Sequence, residues 1–164
     1  MDSKESSTRL LSDKGECKDA VASMIQQAER HVALFTQQLE PLLYNHSEVC
    51  DVLSRLARKN KLSTIRILTL NSRNVLSEGH CLITLAQRLS SFIQIRNPQT
   101  PELQRFNESW LIVDDHSMCR ITNPDRYEGK LIENNRLEIR SKLELFNHAW
   151  ENSSPDPNVR QLNI

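Results

Sequence analysis

The stretch "FNESWLIVDD", residues 106–115, is the most informative part of the chain for the fold. Its middle, from Trp110 to Val113, is wholly apolar, and it ends in the adjacent carboxylates Asp114 and Asp115. A short apolar run bounded by polar residues is typical of a strand buried on both faces of a sheet. The stretch therefore predicts a central strand with an acidic residue at its carboxyl end, a common location for a catalytic or binding group.

Helical apolar spacing alternates with short extended runs on both sides of this strand. Helices are predicted at 17–30, at 47–59, from Gly79 onward and at 134–151, and strands at 31–36, 63–70, 92–97, 110–113 and 118–122. The segments "QQLEPLLYN" and "NSRNVLSE" are predicted to be loops, and the last two strands are predicted to form a hairpin. This order predicts an α/β fold, in which a mixed β-sheet is flanked by helices on both faces.

The length of 164 residues predicts one domain. We expect it to cover residues 17–164, after a polar and disordered lead-in at residues 1–16. No apolar run is long enough to span a membrane, and the N-terminus lacks the apolar segment of a secretory signal. A cytoplasmic location is therefore expected.

The charges balance, with 21 basic and 21 acidic residues, so the composition gives no argument for a polyanionic partner. The four cysteines are widely spaced, which excludes a C-x-x-C motif. We expect Cys50 and Cys81 to behave as small buried hydrophobes in helices, without disulfides. No phosphate-binding glycine loop, nucleophile elbow or zinc-ligand set is present, so no cofactor and no metal is expected.

Two positions could carry chemistry at the ends of predicted elements. Asp114 could orient a histidine or bind a ligand at the end of its strand, although aspartate also favours hairpin turns for purely local reasons. His80 lies beside Gly79 at a helix start, where free amide groups favour an anion. A solvated residue in the first helical turn is the alternative for His80.

Two polar segments are further candidates. Residues 55–73 contain basic residues without an acid, which could contact nucleic-acid phosphates, although no aromatic residues interleave with them. These basic residues are Arg55, Arg58, Lys59, Lys61, Arg66 and Arg73. The loop "NPDRYEGK" groups Arg126 and Tyr127 with charged neighbours, and loops often carry function.

Predicted helices lead to "AERHVALFTQQLEP", "STIRILTL" and "FIQIRN"; "SWLIVDD" follows, and a late helix ends in "ELFNHAW". This succession is similar to one half of the phospholipase D-like fold. That resemblance implies a His-x-Lys motif followed, after four residues, by an aspartate. In such proteins the histidine attacks phosphorus, the lysine binds phosphate oxygens, and two motifs meet at a twofold axis.

The resemblance places degenerate residues at the motif positions of this chain. Aligning the family's aspartate with Asp114 puts Asn107 at the histidine position and Ser109 at the lysine position. Aligning it with Asp115 puts Glu108 and Trp110 there. Neither alignment restores a nucleophile with a phosphate-binding cation.

The phrases "LFTQQLEPLLYN", "GHCLITLAQRLSS", "DRYEG" and "FNHAWENS" resemble an uncharacterised bacterial domain family of this superfamily, found alone or fused to N-acetyltransferase domains. The resemblance covers about residues 17–164 and implies a fold without an assigned activity. It also implies a homodimer and an acetyltransferase or other protein as partners.

We therefore expect a catalytically inactive phospholipase D-like module that binds a ligand or partner, with no catalytic residue of its own. Its candidate ligand contacts are His80, Arg96, Asp114, Arg126 and Tyr127. A phosphodiesterase with a non-standard site around His80 is one alternative. A nucleic-acid-binding module that uses residues 55–73 is the other.

Overall fold

The computed structural model describes residues 5–160, which form a sheet of eight strands with helices on both faces. The strands are β1 (Ser7–Leu11), β2 (His31–Thr36), β3 (Thr64–Thr69), β4 (Ile93–Pro98), β5 (Ser109–Val113), β6 (Ser117–Asn123), β7 (Glu128–Glu133) and β8 (Ser153–Pro155). The helices are α1 (Lys14–Gln26), α2 (Pro41–Tyr44), α3 (Ser47–Lys59), α4 (Arg73–Glu78), α5 (Cys81–Arg88), α6 (Pro101–Gln104), α7 (Arg136–Glu151) and α8 (Pro157–Arg160). The predicted fold class is confirmed.

The strand order is β1-β7-β6-β5-β2-β3-β4-β8. Strands β2, β3 and β4 are parallel because helices connect them, whereas β5 runs antiparallel to β2. The carboxyl ends of β2, β3 and β4 therefore lie on the same side of the sheet as the start of β5. We call this side, where those strands end, the upper edge. The starts of β2 and β3 share the opposite, lower edge with the end of β5, since Val32 pairs with Val113.

The predicted central strand separates two hydrophobic cores. Leu111 and Val113 of β5 pack in the core beneath α1, α3 and α5. Trp110 and Ile112 face the other core, which α7 covers with Phe146 and other apolar residues. Because neighbouring residues of a strand point to opposite faces, a run that is apolar throughout is buried on both.

The prediction of a disordered lead-in is wrong for the part of it that the structure describes. Residues Ser7–Leu11 form an edge strand that pairs antiparallel with β7, and α1 already begins at Lys14. The Asp13 side chain caps this helix by accepting a hydrogen bond of 2.8 Å from the Glu16 amide. An edge strand with exposed side chains is held by backbone pairing, so its sequence carries little apolar signal. Residues 1–4 lie outside the described residues.

The cysteine prediction is also corrected. Cys50 on α3 and Cys81 on α5 form a disulfide, with their Cα atoms 6.2 Å apart, whereas Cys17 and Cys119 are free and buried. The disulfide joins two helices that pack side by side over the same core. Spacing along the chain could not show this, because it contains no information on which helices become neighbours.

Three segments predicted as loops contain regular structure. The segment "QQLEPLLYN" includes α2, "NSRNVLSE" includes α4, and "NPDRYEGK" runs into β7. Helix α2 begins at Pro41, a residue type that suits the first helical position because it needs no hydrogen-bond donor there. No helix within residues 5–160 combines the length and apolarity needed to cross a membrane.

Candidate functional site

Asp114 lies in the β5–β6 turn at the lower edge. Its carboxylate binds backbone amides, although the residue also lines a cavity. Its carboxylate accepts hydrogen bonds from the amides of Glu29 at 2.7 Å, Arg30 at 2.9 Å and His31 at 2.8 Å. Asp114 itself has a φ of 51°, and Asp115 follows with a φ of 62°. Aspartate tolerates this left-handed backbone better than most residues. The side chain thus fastens the hairpin to the start of β2.

His80 is buried and caps the start of α5. The amide of Leu82 donates to His80 Nδ1 at 3.1 Å, and His80 Nε2 lies 2.9 Å from the carbonyl oxygen of Leu39. Because the first partner donates and the second accepts, the ring is neutral with its proton on Nε2. Burial lowers the pKa of His80, although the Leu39 hydrogen bond opposes that effect. Both ring nitrogens are thus occupied by backbone groups.

The other predicted contacts are spread over the molecule. Arg96 donates to Ser153 through Nε at 2.7 Å and through a terminal nitrogen at 2.8 Å. Arg126 is exposed in the β6–β7 turn, and Tyr127 beside it is half-buried, with a φ of 54°. The structure does not bring Asp114, His80 and Arg126 into one pocket.

A pocket of about 360 Å³ opens at the upper edge of the sheet, where β2 ends and β5 begins. It is lined by Gln37, Gln38, Glu40, Asn107, Pro124, Asp125 and Tyr127. Open α/β sheets commonly bind ligands beyond the carboxyl ends of their parallel strands. We call this cavity the upper-edge pocket; it contains one predicted contact, Tyr127, and one of the degenerate motif positions, Asn107.

Glu40 is the best-organised polar group of the upper-edge pocket. The buried hydroxyl of Thr36 donates to one carboxylate oxygen, and the buried hydroxyl of Ser109 donates to the other at 3.3 Å. Thr36 Oγ1 also accepts a hydrogen bond of 3.0 Å from the Leu39 amide. Donors from β2 and β5 therefore hold the carboxylate in one orientation at the mouth of the pocket.

The backbone beside Glu40 is in an uncommon conformation. Leu39 is fully buried and has a φ of 56°, the left-handed region that a bulky side chain rarely adopts. His80 binds the Leu39 carbonyl and Thr36 binds its amide, so two buried side chains maintain this turn. Such outliers persist where surrounding contacts determine them, and they cluster at functional sites. His80 thus supports the pocket without lining it.

The lining of the upper-edge pocket is acidic and amide-rich. It contains the carboxylates of Glu40 and Asp125 and the amides of Gln37, Gln38 and Asn107, with no basic side chain among the described lining residues. Gln37 donates to the carbonyls of Phe106 at 2.7 Å and Glu108 at 3.0 Å. Burial, and then the charge of Glu40, raise the pKa of Tyr127.

The remaining predictions concern metal binding and the basic segment. Within the part of the chain that the structure describes, no group of three or more His, Cys, Asp or Glu side chains could hold a metal ion. The basic segment does not form one surface: Arg55 and Arg58 are exposed on α3, whereas Arg66 packs on Phe146 of α7, on the other face of the sheet. A continuous phosphate-binding patch is therefore not formed by these residues.

Comparison with solved structures places the fold in the phospholipase D class. Nuc from Salmonella typhimurium, a phospholipase D family member, matches with a TM-score of 0.66 at 16% identity, over 93% of this chain and 99% of that one. NucT from Helicobacter pylori matches with a TM-score of 0.60 at 13% identity, over 93% and 100% of the two chains. The archaeal chromatin protein TrmBL2 matches with a TM-score of 0.64 at 14% identity, over 91% of this chain and 54% of that one.

These identities are low, so the likeness shows the fold and confirms that part of the sequence prediction. The chain belongs to the family described as "Domain of unknown function (DUF7931)", which matches residues 13–162. No curated protein matches it.

The sequence pointed to Asp114 and His80 but missed Glu40. The available signal was a polar segment with an acid, "TQQLEP", directly after a buried strand. Such a position becomes informative only once β5 is known to start beside the end of β2, because Ser109 then completes the hydrogen bonds to Glu40.

Proposed function

We propose that this protein is a phospholipase D-like binding module that has no histidine-dependent phosphoryl transfer and holds a small polar ligand in the upper-edge pocket. The observation that carries the proposal is Glu40, a carboxylate fixed by Thr36 and Ser109 at the mouth of that pocket. A binding site is well served by polar groups whose orientation is fixed before the ligand arrives.

The absence of phosphoryl transfer is supported by the chemistry of the residues near the pocket. Phosphoryl transfer through a covalent intermediate needs a nucleophile and positive charge for the phosphate oxygens. The resemblance assigns these roles to Asn107 and Ser109, an amide and a hydroxyl. Ser109 is buried and donates to Glu40, so its hydroxyl serves the carboxylate. The charges of Glu40 and Asp125 would also repel a phosphate.

The same lining favours a ligand with a positive charge or several hydrogen-bond donors. Glu40 and Asp125 offer acceptors to an ammonium group, and the amides offer both donors and acceptors. The ring of Tyr127 already carries the Lys14 ammonium 5.6 Å from its centre, so Glu40 and Asp125 are the groups offered to a ligand cation. The volume of about 360 Å³ suits a small amine or amino alcohol.

The test is a titration of the isotopically labelled full chain with putrescine, ethanolamine and glycerol 3-phosphate, followed by amide NMR shifts. The amines are expected to shift the signals of Gln37, Asn107 and Tyr127, and Glu40→Gln is expected to weaken their binding about tenfold. Glu144→Gln, which changes an exposed carboxylate on α7, is the matched control and should bind as the parent does. Tighter binding of glycerol 3-phosphate than of the amines, or unchanged amine binding by Glu40→Gln, would contradict the proposal.

A phosphodiesterase is the second candidate, supported by the fold shared with Nuc and NucT. In such an enzyme His80 would act as acid, base or nucleophile. We favour a binding module because backbone groups engage both ring nitrogens of His80. Hydrolysis of bis(4-nitrophenyl) phosphate separates the two proposals. No turnover is expected; turnover lost in His80→Ala, in a protein that remains folded, would restore the enzyme.

Nucleic-acid binding through residues 55–73 is the third candidate, and the TrmBL2 structure is described as showing a novel mode of DNA binding. It predicts an affinity that falls steeply with salt. The separation of Arg66 from Arg55 and Arg58 weighs against it. Absence of binding to duplex DNA at low salt would remove this candidate.

The family resemblance also supports a homodimer and an N-acetyltransferase or other protein partner, and a cytoplasmic location stays a proposal from the sequence. Light scattering at micromolar concentration tests the dimer, and co-purification with an acetyltransferase tests the partner. The Cys50–Cys81 disulfide bears on the location, because reducing compartments rarely maintain structural disulfides. Alkylation of thiols in freshly lysed cells would show which state the pair has there.

A further inference from the structure

A groove runs between α7 and the lower edge of the sheet, on the face opposite α1, α3 and α5. Its two parts have volumes of about 360 and 320 Å³ and share Asp115 and Leu143. We call it the α7 groove. The smaller part has an apolar floor of Ala33, Ile112 and Leu143, and Arg66 lies along it. An apolar cavity with a few charged or polar groups is the usual composition of a small-molecule site.

Arg66 is the distinctive feature of the α7 groove. Its guanidinium carbon lies 5.0 Å from the centre of the Phe146 ring and 5.7 Å from that of Trp150, so aromatic packing holds the half-buried group in place. None of the described hydrogen bonds or ion pairs of residues 5–160 engages this guanidinium. A half-buried cation whose donors have no protein acceptor can take up an oxyanion in a two-pronged contact.

The acidic groups nearby leave this cation available. Asp114 directs its carboxylate to the amides of Glu29, Arg30 and His31. Asp115 lies close enough to influence the pKa of Arg66, which burial lowers and Asp115 raises, but forms none of the described ion pairs. Arg136 and Arg140 add two more cations along the larger part of the groove.

We propose that the α7 groove binds a small organic oxyanion, a carboxylate or phosphate monoester attached to a compact apolar body, with Arg66 as its principal contact. The apolar body rests on Ala33, Ile112 and Leu143, while the oxyanion meets the guanidinium edge. His31, Thr64 and Asn147 border the same cavity. The Thr64 hydroxyl already bonds His31 Nδ1 at 2.8 Å, whereas the Asn147 side chain makes none of the described hydrogen bonds of residues 5–160. This site is separate from the upper-edge pocket and takes a ligand of opposite charge.

The test uses the labelled full chain and three probes: benzoate, phenyl phosphate and inorganic phosphate. Saturable shifts of the Thr64, Arg66 and Asn147 amides are expected with benzoate or phenyl phosphate, and weaker ones with inorganic phosphate, which lacks the apolar body. A preference for benzoate identifies a carboxylate ligand, and a preference for phenyl phosphate identifies a phosphate monoester. Absence of saturable binding by both aromatic probes at millimolar concentration would overturn the proposal.

Variants separate the groove from the rest of the surface. Arg66→Met keeps much of the side-chain stem and should weaken binding about tenfold or more. Arg96→Met is the matched control, because Arg96 also stacks on Trp150, at 5.3 Å, while its guanidinium is already bound to Ser153. Equal losses in the two variants would refute a role for Arg66.

Two further variants keep the test decisive if Arg66→Met fails to fold. Arg66→Lys retains the charge but lacks the two-pronged donor geometry, so it should bind the probes more weakly than the parent. Asp115→Asn removes the negative charge beside Arg66 and should tighten binding. Tighter binding in Arg66→Lys, or weaker binding in Asp115→Asn, would contradict the proposal.

Discussion

Replacing Asp114 by alanine removes the carboxylate that joins the β5–β6 turn to the start of β2. The side chain accepts hydrogen bonds from the amides of Glu29, Arg30 and His31, all between 2.7 and 2.9 Å. If fastening the hairpin is the role of Asp114, the variant should lose stability, while the affinity of the upper-edge pocket for its ligand should remain unchanged.

The size of this loss follows from the three hydrogen bonds. Bonds to a charged group contribute more than neutral ones, but this site is partly exposed, so we take about 1 kcal/mol for each. Their loss totals about 3 kcal/mol. Alanine at a φ of 51° costs roughly 1 kcal/mol more, because aspartate tolerates the left-handed region better. We expect a free energy of unfolding lower by about 4 kcal/mol and a Tm lower by roughly 8–16 °C.

Asp115→Ala is the matched control, because Asp115 has a φ of 62° and an exposed side chain without a described hydrogen bond. Asp115→Ala should lose the same roughly 1 kcal/mol of backbone preference, and besides that only the attraction of an exposed carboxylate to Arg66. Urea unfolding followed by tryptophan fluorescence would measure both variants. Equal losses would refute the account of Asp114. Asp114→Asn, which keeps one acceptor oxygen and the turn preference, should fall between them.

Three further predictions concern stability. Burial would raise the pKa of Glu108, but hydrogen bonds led by those from Arg120 lower it below its ordinary 4.5. The stability that the Glu108 carboxylate contributes is therefore present above pH 4.5 and is lost as the pH falls through the folded-state pKa. The free energy of unfolding of Glu108→Gln should fall less in acid than that of the parent. An equal fall would contradict this. Replacing Cys50 and Cys81, separated by 31 residues, with alanine should lower the free energy of unfolding by about 3–4 kcal/mol in urea titrations, whereas an effect near zero would indicate a pair already reduced. Gly129→Ala should lower it by about 2 kcal/mol or more, since the new Cβ would lie 2.4 Å from the Arg120 carbonyl oxygen; an unchanged Tm would show that β6 and β7 can separate there.

The parts of the fold that the sequence predicted are those with a strong apolar pattern. Strand β5 is buried on both faces, so Trp110 to Val113 form an uninterrupted apolar run. Strand β1 exposes four of its five side chains, and β8 has three residues and ends in proline. The positions of these edge strands depend on backbone pairing with β7 and β4, which leaves no comparable pattern in the sequence.

The candidate site was harder to predict because its contacts join distant segments. Glu40 and Ser109 are 69 residues apart, and Leu39 and His80 are 41 apart. Residue type drew attention to His80, but burial and two backbone partners make it a support for the Leu39 turn. Only the strand order showed that the end of β2 and the start of β5 form one pocket.

The two proposed sites lie at opposite ends of the same central strand. Strand β5 connects Ser109, which donates to Glu40 at the upper-edge pocket, to Ile112 in the α7 groove, about 10 Å further along the strand. The upper-edge pocket and the α7 groove share no lining residue, so their ligands contact different side chains. A cationic ligand at one end and an oxyanion at the other therefore need not compete. Effects of Glu40→Gln and Arg66→Met on their own ligands should be independent, and a large coupling between them would mean that β5 or α7 moves when either site is filled.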